Sequence, residues 1–332
     1  FWINVPIIAL ALLLGLFLVP NSMDEQRRPL DPVGALLSVG GLGSVLYAII
    51  EAPTHGWLSN ETLGIAALGA ALMFAFVKWE RRVSHPLLPM GLFKDRGFTI
   101  GLIAIMFAFF VMFSFMFTQM LHFQLVRDKT ALEAAIRFLP LPLGLGPVAA
   151  NSDRIVERFG SRNVVASGLL LVSVGMGLFT TVGIGTAYPV IGATFLLLGI
   201  GMGLTMAPST TLVMEAVPDD KAGVGSATND ASREVGGALG IAIGGSVLNE
   251  YYQRSMTIPE GLEHLGTVPL ESFPAAMRIG GEMLAGGNMA GLELIEAAKA
   301  SFVDGMVASA MVGGAIALTT AVVVKLYMPA ED

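Results

Sequence analysis

The sequence predicts an all-α polytopic membrane protein, and three observations carry that expectation. Of 332 residues, 54% are apolar and only 14% charged. The mean hydropathy is +0.71. The charged residues fall in short clusters between long apolar runs, a pattern that suits lipid rather than a water-soluble core. The net charge of −7, spread over those clusters, excludes a nucleic-acid binder and a basic surface-adsorbed protein. Cysteine is absent, so disulfides, thiolate metal sites and thiol nucleophiles are excluded together.

A helix needs roughly 20 apolar residues to cross about 30 Å of hydrocarbon, and nine segments answer to that ruler. The first, residues 1–20, carries no charge; it opens without an initiating Met or a basic leader, so the sequence reads as a fragment. The second (30–50) and third (63–79) are separated by a short polar turn. The fourth, 98–121, is rich in Phe and Met. The fifth (131–150), sixth (164–182) and seventh (188–212) follow at short intervals, and the eighth and ninth are 222–248 and 302–326. The stretch from about 251 to 301 holds Pro259, Pro269, Pro274 and many glycines. It reads as an external loop with one or two weakly amphipathic helices, serving as a cap or a spacer.

Cytoplasmic loops keep an excess of Lys and Arg. With an external start, twelve of these residues fall inside and five outside, while Arg137 and Arg233 lie within spans. The distribution predicts an external first residue and a cytoplasmic C-terminus.

Three stretches carry a resemblance: FWINVPI at 1–7, ERFGSR at 157–162 and GVGSATNDASREVGGALGIAIGGSVL at 223–248. Together they resemble the fourteen-helix drug:proton antiporter branch of the major facilitator superfamily, over the whole chain. The resemblance implies that Phe1 begins the sixth helix of that architecture, with five helices upstream. Residues 1–20 would then be the last helix of the N-terminal bundle. Residues 21–96 would be a cytoplasmic connection and two linker helices, and residues 97–332 a C-terminal six-helix bundle. Transport would proceed by rocking one bundle against the other. The expected partners are a small amphipathic substrate, protons, the lipid bilayer and the missing N-terminal bundle, with no cofactor, no metal and no nucleic acid. The expected location is a cell membrane, the bacterial plasma membrane in particular.

The same resemblance marks the 157–162 turn as a gating loop. Glu157, Arg158, Gly160 and Arg162 match the family's acidic–Arg–x–Gly–basic pattern. Asp153 stands where that pattern has a Gly, and Ser161 where it has an Arg. An ordinary positively charged cytoplasmic loop would have the same composition.

The eighth span is the most informative. Its fully apolar part, 235–248, is only 14 residues long, or about 21 Å. Crossing the bilayer therefore draws Asn229, Asp230, Arg233 and Glu234 to membrane depth. Spacing puts Asp230 at i−3 from Arg233 and i−4 from Glu234, so two carboxylates could share one guanidinium. Ionisable groups within a membrane mark ion or proton pathways, which makes Asp230, with Glu234 second and Arg233 as partner, the proton-coupling candidates. A permanent brace between bundles is the alternative. Gly236, Gly240 and Gly244 recur every four residues and permit close helix packing.

Phe113, Met116 and Gln119 on the fourth span, Arg137 on the fifth and Asn229 complete the candidate substrate cavity. Flexible thioethers and ring faces accept many apolar or cationic solutes, although lipid-facing packing uses the same residues. Glu133 is placed to pair with Arg137 at i, i+4. The histidines His55, His85, His122 and His264 have no metal-ligand spacing, and no nucleotide or hydrolase motif occurs. The expected function is proton-coupled efflux of amphipathic drugs. A dedicated exporter of a lipid, siderophore or other metabolite is the alternative, followed by a non-transporting truncated membrane protein and a membrane-embedded transferase.

Overall fold

A computed structural model describes Trp2 and residues 4–18, 31–218 and 221–329. Phe1 and Pro20, the expected ends of the first span, lie outside the described residues, as do the connection at 21–30 and the last three residues. The described chain is all helix and turn. It has the helices α1 (Asn4–Leu18), α2 (Pro32–His55), α3 (Asn60–Glu80), α4 (Arg96–Leu121), α5 (Ala131–Arg137), α6 (Pro140–Ala150) and α7 (Ser152–Phe159). These are followed by α8 (Ser161–Phe179), α9 (Tyr188–Glu215), α10 (Ala222–Ser255), α11 (Val268–Glu271), α12 (Phe273–Ala285) and α13 (Ala290–Tyr327). Seven stretches among the described residues are long and apolar enough to cross a membrane. They are α2, α3, α4 with its extension, the α5–α6 pair, α8, α9 and α13. The chain is a polytopic membrane protein. Of the two other expected spans, α1 has 15 residues in helix, and α10 is a 34-residue helix that carries Asp230, Arg233 and Glu234 before its apolar part.

Local sequence explains the boundaries. Asp31 caps α2 by accepting the Gly34 amide at 2.9 Å, with Pro32 at the first helical position, where its missing N–H costs nothing. Ser59 and Asp95 cap α3 and α4 in the same way. Thr130 and Glu133 form a reciprocal capping box at α5. The expected fifth span is broken after Arg137: Pro140 has no N–H to donate to the Ile136 carbonyl four residues back, although Phe138 and Leu139 keep helical angles. Gly160, at φ +74°, makes the turn from α7 to α8 in a conformation L side chains avoid.

Two expected boundaries move. The eighth span continues to Ser255, and α13 begins at Ala290, a dozen residues before the expected 302, so the loop between helices shrinks at both ends. Glu293, Glu296 and Lys299 are polar but good helix formers, and they extend the helix beyond the apolar segment. At 38 residues, α13 is about 57 Å long.

The bundle is organised around α4, which packs against α10, α9 and α13; α8 lies between α9 and α13, α6 lies on α9, and α2 pairs with α3. Rings from four segments meet in its core: Phe115 with Phe179 at 4.9 Å and with Phe195 at 5.0 Å, and Phe138 with Phe195 at 4.8 Å. Helices approach closely where glycines face carbonyls. A Cβ on Gly236 or Gly240 would meet the Met106 or Phe110 carbonyl of α4, and one on Gly244 would meet Ser114. Gly199 and Gly203 of α9 face Leu141 and Leu145 of α6 in the same manner.

Candidate functional site

The glycine seam holds α10 against α4 and leaves a groove beside the contact. Its cavity, about 580 Å³, is lined by Phe113, Phe117 and Leu121 of α4 and by Glu234, Gly237, Ile241 and Ser246 of α10, with Ile50 of α2 on one side. The lining is mainly apolar and carries one carboxylate, Glu234. The Phe113 ring stacks on Phe109 at 6.0 Å and lies where a Gly237 side chain would stand, so glycine at 237 gives the ring its place. At the far end Trp57, from the turn between α2 and α3, donates its indole N–H to Ser246 Oγ at 3.1 Å.

The third and fourth turns of α10 hold Asp230, Arg233 and Glu234. Arg233 reaches Asp230 at 3.4 Å and Thr210 of α9 at 3.4 Å, and its guanidinium lies 5.6 Å from the Phe109 ring centre. Glu234 forms no ion pair with Arg233. Adjacent residues on a helix point about 100° apart, so Glu234 turns to the groove and the expected sharing of one guanidinium by two carboxylates does not occur. Asn229 is buried; its side-chain oxygen, the Arg233 Nε and the hydroxyl of buried Ser209 have no hydrogen-bond partner. Three buried polar atoms on α9 and α10 are thus without partners.

The other candidates disperse. Met116 is partly exposed and lies outside the groove lining. Gln119 faces the bundle interior, where it is fully buried and donates to Met306 Sδ at 3.3 Å. Arg137 does not pair with Glu133. The capping box occupies that carboxylate, so Arg137 donates to the Glu133 backbone carbonyl at 3.0 Å and lies over the Tyr188 ring. In the 157–162 turn, Arg158 covers Phe159, and Arg162 Nε donates to the Met328 carbonyl at 2.7 Å, fastening the start of α8 to the end of α13. Glu157 lines a second cavity of about 690 Å³ with Asp153, Ser161 and Glu215.

A buried polar chain also emerges that spacing did not reveal. One wide turn of π-helix, His122–Val126, extends α4 and directs His122 inward. Its Nδ1 meets Gln119 Oε1 at 3.4 Å and its Nε2 meets Arg127 Nε at 3.4 Å. Arg127 in turn donates to the Thr186 carbonyl at 2.6 Å. Burial, and secondarily the charge of Arg137, lower the Arg127 pKa from its ordinary value. The available signal was a His interrupting an apolar run, but a π-turn leaves no periodicity to read.

Comparison with known proteins places this arrangement. Residues 1–241 match the family model described as Major Facilitator Superfamily. The chain is 33% identical over 275 residues to the multidrug resistance protein Stp of Mycobacterium tuberculosis, covering 82% of this chain and 50% of that protein. It is 29% identical over 332 residues to the multidrug efflux pump LfrA of Mycolicibacterium smegmatis, covering 98% and 64%. It is 27% identical over 340 residues to the tetracenomycin C resistance and export protein of Streptomyces glaucescens, covering 100% and 63%. The chain therefore spans between half and just under two thirds of the length of these relatives. A family model matching most of the residues, on an all-helical membrane bundle, settles the assignment: the chain belongs to the major facilitator superfamily, a family of transporters rather than enzymes.

Proposed function

We propose that this chain forms part of a proton-coupled exporter of amphipathic small molecules that works by alternating access. The observation that carries the reading is the groove between α4 and α10, an apolar cavity walled by Phe113 and Phe117 with Glu234 on its wall. Aromatic faces and one carboxylate suit an apolar solute bearing a positive charge. The printed names of the relatives, a multidrug resistance protein and a multidrug efflux pump, support export. In this reading Asp230 takes up and releases a proton against Arg233, and Glu234 meets the substrate or a second proton. Asn229 and Arg233, whose buried atoms lack partners, gain them in another conformation of the cycle. Residues 1–20 close an N-terminal bundle, residues 21–96 form the connection and linker pair, and residues 97–332 form the C-terminal bundle. Twelve Lys and Arg on one side against five on the other support a cytoplasmic C-terminus, and the bacterial relatives support a plasma-membrane location.

The test is dye export by the complete protein in inverted vesicles, with a proton gradient imposed and then collapsed. Wild type exports only with the gradient, and Asp230→Asn loses the dependence. Undiminished gradient-driven export by Asp230→Asn would remove Asp230 from the relay, and failure of wild type to move any amphipathic dye would favour a dedicated metabolite or lipid substrate.

A further inference from the structure

A second acidic site lies away from the groove, at the junction of the linker helices. Asp31 caps α2 and Glu80 ends α3; both side chains are more than nine-tenths buried. Three of their four carboxylate oxygens receive N–H groups. Asp31 Oδ1 accepts from the Gly34 amide at 2.9 Å, and both Asp31 oxygens accept from the Trp79 indole at 3.0 and 2.8 Å. Glu80 Oε2 accepts from the Leu88 amide at 2.8 Å. The fourth oxygen, Glu80 Oε1, has no partner. It points at Gly34, where a Cβ would lie 2.6 Å from Glu80 Oε1 and 2.5 Å from Asp31 Oδ2. The two oxygens thus crowd the same space beside Gly34, at most about 5 Å apart (2.5 and 2.6 Å from one point).

Two buried carboxylates cannot both be charged at such range without a cation. Among the described residues no ion pair involves either one. Of the charged groups nearby, Lys78 lies over the Phe74 ring, while Arg81 and Lys94 line the adjoining cavity with Glu80 without pairing to it. Arg27 and Arg28 precede Asp31 in the sequence, outside the described residues. The neighbours that do touch the pair are N–H donors, which satisfy carboxylate oxygens but give a metal ion no ligand.

We infer that Asp31 and Glu80 bind a single proton between them, Glu80 Oε1 donating it to Asp31 Oδ2, and that this proton fastens the α2–α3 hairpin to the segment leading into α4. The site lies at the end of the bundle that the Lys and Arg distribution assigns to the cytoplasm. Loss of the proton leaves two anions crowded beside Gly34 and weakens the attachment at Leu88. The folded protein then holds a proton that the unfolded chain releases, so stability is present in mild acid and is lost as pH rises.

The experiment is thermal unfolding of the complete protein in lipid nanodiscs from mild acid to mild alkali, with infrared difference spectra in the carboxyl-stretch region. Glu80→Gln, an isostere of the neutral acid, is expected to keep the wild-type melting temperature at neutral pH, to flatten its fall with pH and to remove one protonated-carboxyl band. Glu80→Ala is expected to melt lower at every pH. Equal destabilisation by Gln and Ala at neutral pH would overturn the inference, because the anion itself would then be required. So would an unchanged carboxyl band in Glu80→Gln, or a rise in melting temperature with magnesium that Glu80→Gln abolishes. None of these readouts depends on transport, so the acid pair and the groove stand or fall separately.

Discussion

The two halves of α10 are built to opposite rules. From Val235 onward no buried side-chain polar atom of the helix lacks a partner. Glycines fit against α4 carbonyls, and buried Tyr252 donates its hydroxyl to the Pro269 carbonyl at 2.7 Å. From Ala222 to Glu234 the same helix leaves Asn229 Oδ1 and Arg233 Nε without partners and holds Arg233 to Asp230 at a long 3.4 Å. A buried polar atom left unmatched costs about 1–3 kcal/mol, so the first half is less stable than its packing permits. One helix thus carries an anchor and a part that is free to change partners. In a transporter the seam gives a fixed axis, and the polar turns make contacts that can differ between states.

That contrast can be broken in order of size. Gly236→Leu or Gly240→Leu puts a side chain into an α4 carbonyl. The expected cost is about 3 kcal/mol, read as loss of folded protein in thermal or denaturant unfolding. A tolerated leucine would mean the seam is loose and the anchor misidentified. Glu234→Gln leaves the seam intact and is expected to lower export of a cationic dye about tenfold, or about 1.4 kcal/mol, with a neutral dye unaffected. Equal loss for both dyes would reassign Glu234 from charge recognition to the proton path. Tyr252→Phe removes the Pro269 bond and should cost about 1 kcal/mol of stability with no change in export. Trp57→Phe breaks only the exposed bond to Ser246 and is expected to cost about 0.5 kcal/mol; a larger loss would make the α2 wall of the groove an anchor as well.

The apolar runs made most helices legible, because span length and hydropathy are local properties of the chain. The shortness of the apolar part of α10 likewise pointed to Asp230 and Arg233 before any contact was visible. What could not be read was direction around a helix axis. Composition puts Phe113 and Gln119 in one cavity, yet one faces the groove and the other lies buried against Met306. Periodicity gives their relative angle but not which neighbour each will meet. The Glu133–Arg137 pair failed for a competing local reason, since a capping box claims the same carboxylate. His122 was hidden by a π-turn, and the Asp31–Glu80 contact joins residues 49 positions apart across a hairpin that composition cannot fold.

The length of α13 has a mechanical consequence. It is fastened near its C-terminal end, where Arg162 holds Met328, and it runs unbroken to Ala290, where Gly291 is seated on Gly280 and Lys299 is bound to Asp128 at 2.8 Å. In a rigid rod, rotation about one end becomes displacement at the other, and here of whatever is bound there. Exposed Glu293 stands 35 residues from Met328, about 52 Å, so a tilt of about 10° about the tether sweeps it through roughly 9 Å at that helical rise. A pair of spin labels, one of them at Glu293, would therefore register any such tilt as a change in distance.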